Sequence, residues 1–269
     1  MALELDKYKD MLLQQISAKK ISAKTAGEYL SCMERLIIEL NGRDDCASIV
    51  VAITNLSAGT EQGSKYISAL KKYERDVLGS PKSLLYGTAL QNLRRQFKQK
   101  PIGRELNLNE STYIHKINAM RNKRLKLAYR LQLRSGLRIA EVAALKKDDI
   151  LFNDDSNGIT LKVREGKGGK SRDVNVIDDD YLYQNLKEFI EEFPGDTRIF
   201  YSAAYMKKRA VEYGLLTHDL RRLNSKQRYR KERRNGENRR TARRTVQKEL
   251  GHTKPRITSA YLGTDWEDE

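Results

Sequence analysis

The chain has 269 residues, 39% apolar and only 7% aromatic, with a formal net charge of +16 at pH 7. This length allows two domains with cores of their own, and the charge points to a polyanionic partner, either nucleic acid or an anionic membrane surface. No stretch is as long and apolar as a membrane-spanning helix, and the amino terminus lacks the apolar segment of a secretory signal, so we expect neither.

The two cysteines, Cys32 and Cys46, lie in the first part of the chain. Neither has a Cys-x-x-Cys partner or a nearby histidine, so we expect no zinc site and no other metal site. Reduced thiols are the favoured interpretation, and a disulfide between the two is the alternative.

Residues 1–98 are predicted to form a helical unit. Leu5, Tyr8, Leu12 and Ile16 recur at helical spacing, and Ser22 is the predicted N-cap of the next helix. Further helices are predicted over DDCASIVVAITNL, from Gln62 to about Leu78, and from Ser83 to about Phe97.

A linker is predicted at residues 99–109, where Pro101 and Gly103 interrupt the periodicity. Residues 110–269 then form a second predicted domain, mostly α with a small antiparallel β-hairpin. Its helices ESTYIHKINAMRN and KRLKLAYRLQLRSG are followed at once by a third, RIAEVAALKKDDI, so Arg138 lies at a helix–turn–helix junction. The segments ITLKVR and RDVNVI alternate apolar and polar residues around EGKGGKS, which is typical of a hairpin. The chain is predicted to be helical again from Asp178, with a break at Pro194.

Several spaced side chains have the chemistry for attack on a phosphodiester. Arg138 and Arg221 offer planar, always charged forks for phosphate oxygens. His218 lies three residues before Arg221 and so shares its helix face. Tyr261 follows His252 by nine residues. A free tyrosine phenol has a pKa of about 10, so attack at neutral pH requires proton removal or cationic surroundings.

Some further assignments leave alternatives open. Glu141, one turn after Arg138, is interpreted either as the carboxylate that orients a guanidinium or as an ordinary surface carboxylate. Lys167 and Lys170 share the glycine-rich turn, and either could reach a substrate; we favour Lys167. The other tyrosines considered as nucleophiles lack the Thr-x-x-Tyr-Leu context of Tyr261; they are Tyr205, Tyr213 and Tyr229.

The segments SGLRIAEVAAL, GKGGKSR, HDLRR and LGH followed by TSAYL resemble, in this order, the tyrosine recombinases of the phage integrase and Xer-type family. The resemblance runs from roughly Glu110 to Leu262. It implies a two-domain, C-shaped DNA clamp, in which residues 1–98 are the core-binding, SAM-like DNA-binding domain and residues 110–269 are the catalytic domain. No additional amino-terminal arm-binding domain is expected.

The resemblance also implies an activity. A site-specific recombinase or integrase of this kind cuts and rejoins duplex DNA through a 3′-phosphotyrosine intermediate and needs no metal, ATP or other cofactor. The expected partner is double-stranded DNA, bound by a homotetramer on two sites that passes through a Holliday junction. Such a protein serves a mobile genetic element, and we expect it in the cytoplasm, on the nucleoid, without a membrane partner.

The family assigns a role to each of the six residues. By the resemblance, Arg138 and Arg221 hold the scissile phosphate, and Lys167 protonates the leaving 5′ oxygen. His218 assists proton transfer or binds the phosphate, and His252 donates to a non-bridging oxygen. Tyr261 attacks the phosphorus.

A basic run separates Arg221 from His252. Counting both ends, twelve Lys and Arg fall between Arg221 and Arg244, against Glu232 and Glu237 alone. The density predicts contacts with the DNA backbone, which position a duplex without reading its sequence. The interval is longer than in the family, and a loop or extension is predicted around Asn235-Gly236. The predicted DNA contacts are Lys170, Arg172, Arg222, Arg228, Arg230, Arg233 and Arg234.

Three other functions are compatible with parts of the sequence. A type IB topoisomerase or telomere resolvase would use similar chemistry without partner exchange. A DNA-binding regulator with a decayed site would share the charge, but the full set of expected residue types argues against decay. An RNA-binding or ribosome-associated protein would explain the charge and not the spaced segments.

Overall fold

The computed structural model describes residues 3–57, 60–79, 87–99, 109–153, 155–166, 171–252 and 254–262. The chain divides into two compact units, Met1–Glu105 and Leu106–Glu269. The predicted linker at 99–109 lies outside the described residues except for its two end positions. Within the described ranges, every helix is too short or too polar to cross a membrane.

The first unit is helical, as predicted, and its described core contains residues from Tyr8 to Leu93. Tyr8 and Leu12 are buried at the predicted helical spacing. The Ser22 hydroxyl accepts a hydrogen bond from the Thr25 amide at 3.1 Å, which confirms Ser22 as an N-cap. The helices described in this unit are α1 (Leu5–Ser17), α2 (Ala23–Leu40), α3 (Cys46–Leu56), α4 (Thr60–Asp76) and α5 (Gly87–Gln99).

The second unit combines helices with an antiparallel three-stranded sheet in the order β1-β2-β3. The predicted hairpin is confirmed, with Leu161 opposite Val174. The mostly helical fold class with a small antiparallel sheet is therefore confirmed. The elements are α6 (Glu110–Asn118), α7 (Lys123–Ser135), α8 (Ile139–Ala144), β1 (Ile150–Asn153), β2 (Gly158–Val163), β3 (Arg172–Asn175), α9 (Asp180–Glu191), α10 (Ala203–Glu212), α11 (Thr217–Arg234), α12 (Arg239–Glu249) and α13 (Pro255–Leu262).

The predicted helix RIAEVAALKKDDI was too long. Helix α8 ends at Ala144, a 3-10 turn follows over Lys147–Asp149, and the chain enters β1 at Ile150. The Asp149 carboxylate accepts a hydrogen bond from the Lys146 amide at 3.0 Å, which stabilises this turn. The sequence prediction missed β1 because its four residues are too few to show strand alternation beside a helical pattern.

The basic run forms two helices. Helix α11 ends at Arg234 and α12 begins at Arg239, so the predicted loop around Asn235-Gly236 is confirmed. Tyr229 of α11 packs with apolar residues of α12 and α13 in a small cluster, and Asn224, Ser225 and Arg228 are buried on α11 as well. The Asn224 amide donates to the Leu133 carbonyl at 2.9 Å, so a polar side chain joins α11 to α7.

Candidate active site

Arg138 is placed by a sharp turn between two helices. Gly136 ends α7 in a left-handed conformation, with φ of 69°, and Arg138 is the N-cap of α8. The Glu141 carboxylate accepts from the Arg138 backbone amide at 2.8 Å and from Arg138 Nη1 at 2.9 Å. The Arg138 side chain remains 27% exposed, so it is the most accessible of the described arginines that contact Glu141.

Glu141 is a buried carboxylate shared by three arginines. Besides Arg138, it accepts from both terminal nitrogens of Arg172, at 3.1 and 3.0 Å, and lies 4.0 Å from Arg221 Nη1. Burial acts to raise the pKa of Glu141, but the hydrogen bonds from Arg172 and from the Arg138 amide outweigh it, and the net pKa is lowered. One carboxylate among three guanidiniums leaves the described part of the site with a positive surplus. The interpretation of Glu141 as a surface carboxylate was wrong.

Arg221 is completely buried on α11. Its Nη1 donates to the Gly136 carbonyl, and its Nη2 donates to the Leu250 carbonyl at 2.5 Å. Its Nε–H is buried and has no hydrogen-bond acceptor among the described residues. Burial, followed by the charge of Arg138, lowers the pKa of Arg221 to about 10, so the guanidinium is still charged at neutral pH.

Tyr261 lies on α13 and meets both site histidines. Its Oη is 2.7 Å from His218 Nε2, and its ring centroid is 5.1 Å from that of His218 and 4.9 Å from that of His252. The guanidinium carbon of Arg221 lies 5.8 Å from the Tyr261 ring centroid, and that of Arg222 lies 5.9 Å away. The phenol therefore lies beside two imidazole rings and two positively charged guanidiniums.

His218 is solvent-accessible, yet partial desolvation, followed by the charges of Arg222 and Arg221, lowers its pKa below the ordinary 6.5. The ring is accordingly neutral at pH 7. A neutral imidazole carries one nitrogen lone pair, so Nε2 can accept the proton of the Tyr261 hydroxyl.

His252 follows α12 and is buried. Its Nε2 lies 3.0 Å from Arg221 Nη2, and its Nδ1 lies 3.0 Å from the hydroxyl of Thr258, a fully buried residue on α13. Burial and then the charge of Arg221 lower the pKa of His252 to about 3. A guanidinium has no acceptor atoms, so in this arrangement His252 Nε2 faces a donor of Arg221. The hydrogen bond from His252 to a phosphate oxygen stays a prediction.

The structure thus brings together Arg138, Arg221, His218, His252 and Tyr261, with Glu141 beneath them. Lys167 and Lys170 lie outside the described residues. Among the described residues, no group of three or more His, Cys, Asp or Glu is arranged to hold a metal ion.

Two of the predicted DNA contacts require correction. The Arg228 side chain is only 7% exposed; it pairs with Glu249 at 2.8 Å and donates to Asn224 at 2.8 Å and to the Asn175 carbonyl. Arg172 is 15% exposed, and besides Glu141 it donates to the Glu249 carbonyl at 3.3 Å. Both guanidiniums are held inside the second unit and cannot face a duplex in this arrangement.

The other predicted contacts among the described residues remain accessible. Arg230 and Arg234 are exposed, and Arg222 and Arg233 are half-buried. Arg222 lies 3.5 Å from Asp219, and Arg233 donates to the Glu237 carbonyl at 2.7 Å. This part of the basic run therefore presents cations at the surface at both ends of α11.

Sequence reasoning missed two members of the site. Thr258 was noted only as context for Tyr261, although its place in Thr-x-x-Tyr puts it one helical turn before the phenol. Arg172 was counted as a DNA contact because it ends a basic turn. Its pairing with Glu141 crosses 31 positions of sequence, a distance over which no local pattern gives a signal.

The phage integrase family model matches residues 107–267, more than half of the chain. The chain belongs to the phage integrase family. The match spans the second unit from α6 to α13 and confirms the tyrosine recombinase resemblance. No curated protein matches this family member in sequence.

Solved structures share the fold of this integrase family member at low sequence identity. A lambda integrase dimer bound to a COC′ core site has a TM-score of 0.69 at 19% identity, covering 97% of this chain and 76% of that chain. XerH bound to palindromic difH substrate in a post-cleavage complex has a TM-score of 0.65 at 16% sequence identity, covering 90% of this chain and 76% of that chain. The Tn1549 transposon integrase in complex with circular intermediate DNA has a TM-score of 0.62 at 13% sequence identity, covering 95% of both chains. All three have the two-domain tyrosine recombinase fold.

Proposed function

We propose that this protein is a site-specific DNA recombinase that cuts and rejoins duplex DNA through a 3′-phosphotyrosine intermediate, without metal or ATP. The observation that carries the proposal is the 2.7 Å contact between the Tyr261 hydroxyl and His218 Nε2, beside the guanidiniums of Arg221 and Arg222. A nucleophile next to a neutral base and a cationic site is the arrangement that phosphoryl transfer without a metal requires.

Charge supports the same chemistry. A phosphodiester carries one negative charge, and attack by an oxygen nucleophile adds negative charge to the phosphoryl oxygens. Arg138, Arg172 and Arg221 surround the single carboxylate of Glu141, so their positive surplus favours the attacked phosphate over free substrate. Arg138, which is partly exposed, is positioned to bind a non-bridging oxygen first.

The proposed cleavage step balances within the named groups. The Tyr261 oxygen forms a bond to phosphorus while its proton passes to His218 Nε2. The bond from phosphorus to the 5′ oxygen breaks, and that oxygen leaves as a hydroxyl with a proton from Lys167, the role that the family gives its matching lysine. Attack by another strand's 5′ hydroxyl reverses the linkage and releases Tyr261. Bond energy is conserved in the covalent intermediate, so the cycle needs no external energy source.

Arg221 must become accessible for this chemistry. It is fully buried in the absence of DNA, with the Tyr261 ring near its guanidinium carbon. Its Nε–H lacks an acceptor among the described residues, so it is the donor that we assign to a phosphate oxygen. We propose that Tyr261 shifts from the guanidinium when DNA binds, which exposes Arg221 and frees the phenol for attack.

The assembly is proposed from the related structures. A lambda integrase tetramer bound to a Holliday junction shares the fold at a TM-score of 0.66 and 17% identity. We propose that four protomers of this chain likewise act on two duplex sites. In each protomer, residues 1–98 would be the core-binding domain and residues 110–269 the catalytic domain. The proposed location is the cytoplasm, on the nucleoid.

A suicide-substrate assay tests the proposal. Duplex DNA with a nick next to the scissile phosphate should become covalently attached to the wild-type protein, and Tyr261→Phe should abolish the adduct. Tyr205→Phe is the matched control, since Tyr205 is an exposed tyrosine of the same unit, and it should leave the adduct at the wild-type level. No adduct with wild-type protein on any DNA of the element or host would reject the enzyme. Relaxation of plasmids lacking a specific site would instead indicate the topoisomerase alternative.

A further inference from the structure

The turn that carries His252 is the carboxyl-terminal end of α12. Gly251 has a positive φ of 62°, its amide donates to the Lys248 carbonyl at 3.0 Å, and the His252 amide donates to the Gln247 carbonyl at 3.0 Å. This pair of hydrogen bonds is the Schellman motif, which satisfies two of the carbonyls that a helix leaves free at its end. The Gln247 side chain also donates to the His252 carbonyl at 3.1 Å. The backbone of His252 is therefore fixed to the last turn of α12.

Two arginines from other elements take the remaining carbonyls of this helix end. Arg221 Nη2 of α11 donates to the Leu250 carbonyl at 2.5 Å, and Arg172 Nε of β3 donates to the Glu249 carbonyl at 3.3 Å. The carboxyl end of a helix carries partial negative charge, so cations are favoured there. Arg221 has a direct task in the proposed reaction, whereas that reaction uses only the charge of Arg172.

Arg172 is also packed against the glycine of the turn. A Cβ added to Gly251 would lie 3.2 Å from both Cζ and Nε of Arg172 and 3.3 Å from its Cδ. The guanidinium is not free to move aside, because its two terminal nitrogens donate to the two oxygens of Glu141 at 3.1 and 3.0 Å. One planar group thus joins β3, the first turn of α8 and the end of α12.

We propose that Arg172 is a positioning residue that fixes the turn at residues 249–252 against Glu141. It thereby holds the His252 ring beside the Tyr261 phenol, where the two ring centroids are 4.9 Å apart. A displaced turn would move His252 relative to the nucleophile, so the rate of cleavage depends on Arg172. The effect on cleavage rests on the proposed function, but the anchoring of the turn is a property of the DNA-free protein.

The first measurement is the stability of glycine and arginine variants, taken as urea midpoints of the full-length protein. Gly251→Ala should lower the midpoint more than Gly236→Ala, because a Cβ at Gly236 meets nothing within 4 Å. Backbone strain does not explain such a difference, since the φ of 62° at Gly251 is closer to the left-handed well at about +57° than the 89° at Gly236. In an Arg172→Ala background, which removes the neighbour, Gly251→Ala should lower the midpoint no more than Gly236→Ala does.

The second measurement is the single-turnover rate of covalent adduct formation, with DNA affinity measured on the same substrate across a salt series. Arg172→Lys keeps the charge but loses the planar fork that reaches Glu141 and the Glu249 carbonyl together. It should lower the rate about tenfold, the effect of one lost hydrogen bond at its upper range, with affinity and its salt dependence unchanged. Arg164→Lys is the matched control, since Arg164 is 61% exposed and pairs with Asp149 instead. It should leave the rate within about twofold of wild type.

The coupling between Arg172 and His252 separates positioning from a merely structural effect. His252→Gln should lower the rate by itself. Arg172→Lys added to it should lower the rate less than about threefold further, because the residue through which Arg172 acts has already been removed. A general loss of stability would instead lower the rate by the same factor in both backgrounds.

The outcomes separate this inference from the proposed function. Wild-type rate and affinity in Arg172→Lys would overturn the inference and indicate a DNA contact, since a lysine can still neutralise a phosphate. It is also overturned by an equal effect of Arg172→Lys with and without His252, or by a Gly251→Ala effect that removal of Arg172 does not reduce. If Arg172→Ala does not fold, as judged by circular dichroism, the comparison of Gly251→Ala with Gly236→Ala and the rate of Arg172→Lys decide. If the stability variants show the coupling and the wild type forms no adduct, the recombinase function fails while the anchoring of the turn by Arg172 stands.

Discussion

Glu141 controls the balance of charge among the site side chains. Its carboxylate accepts hydrogen bonds from Arg138 and Arg172 and lies 4.0 Å from Arg221. Like charges brought together in a low-dielectric interior repel strongly unless a counter-charge is present. Glu141 therefore holds the guanidiniums close together, while its single negative charge is too small to neutralise them.

Glu141→Gln should destabilise the protein by about 3 kcal/mol at pH 7, because it leaves buried guanidiniums without their counter-charge. The folded-state pKa of Glu141 is lowered from the ordinary 4.5. Its stabilising effect is therefore complete above pH 4.5 and is lost as the pH falls through the lowered folded-state value. The measurement is urea denaturation of wild type and variant from pH 7 to pH 3. Their difference should shrink only in the acidic range.

The control for this experiment is Glu188→Gln. The Glu188 side chain is 71% exposed and its ion pair with Lys123 is 3.9 Å long, so its replacement should change stability by less than about 0.5 kcal/mol. An equal loss in both variants, or a Glu141 effect that grows as the pH falls, would contradict the assignment of Glu141 as the shared counter-charge.

Packing between helices places the arginines of the site. The turn from α7 to α8 approaches its neighbouring helices closely at Gly136. Gly136 gives its carbonyl to Arg221 and lies against α11 and the end of α12. An added Cβ at Gly136 would lie 2.3 Å from Asn224 Oδ1 and 2.8 Å from Leu250 Cδ2. Only glycine permits this approach with a positive φ, so the close contact between α7 and α11 depends on that residue.

Gly136→Ala and Gly236→Ala form a matched pair for testing this contact. Both glycines have positive φ, of 69° and 89°, but a Cβ at Gly236 meets nothing within 4 Å. Gly236→Ala should cost about 1 kcal/mol of backbone strain. Gly136→Ala should cost about 1 to 3 kcal/mol more, since Asn224 is buried and hydrogen-bonded. Equal denaturation midpoints for the two variants would show that the contact is not tight.

Helix α11 separates buried from accessible cations along its length. Arg228 is buried with Glu249, whereas Arg234 is exposed. Arg228→Ala should lower the free energy of unfolding by about 3 kcal/mol and leave the salt dependence of DNA affinity unchanged. Arg234→Ala should preserve stability and reduce the slope of log affinity against log salt by about 0.9, the value for one phosphate contact. Fluorescence anisotropy across a salt series and urea denaturation provide the two readouts. If Arg234→Ala destabilised the protein and Arg228→Ala reduced the salt dependence of DNA affinity, the two assignments would be reversed.

Each of the two units has its own buried hydrophobic residues. The core of the first unit draws on residues from Tyr8 to Leu93, and the cores of the second draw on residues from Ile117 to Leu262. Among the described residues, no core cluster contains members of both units. Since each core contains its own set of helices, each unit has the apolar burial needed to fold independently.

We therefore expect residues 1–105 and 106–269, expressed separately, each to unfold cooperatively on heating. A fragment that begins at Lys146 is the control. It lacks α6 to α8, whose buried side chains belong to the main core of the second unit, and it should show no cooperative transition. Circular dichroism melting curves distinguish these results. A non-cooperative 106–269 fragment would mean that the second unit requires the first.

Local sequence patterns were sufficient for several features of this protein. Helical spacing gave α1 and α7, Ser22 marked the start of α2, and the run Asn235-Gly236 marked the loop between α11 and α12. The resemblance to the tyrosine recombinases predicted that Arg138, His218, Arg221, His252 and Tyr261 form one site, and these residues lie together in the structure. Periodicity and turn chemistry act over a few residues, so they can be read directly from the chain.

Burial and charge pairing required the tertiary structure. Arg228 and Arg234 are alike in sequence, but only Arg228 lies where Glu249 and Asn224 can pair with it. Arg172 pairs with Glu141 instead of facing DNA because the β-hairpin brings it to α8. The contacts of His252 likewise come from Arg221 and Thr258, which lie on different helices. Each of these outcomes depends on which distant elements pack together, and a side chain's charge and spacing alone carry no information about that.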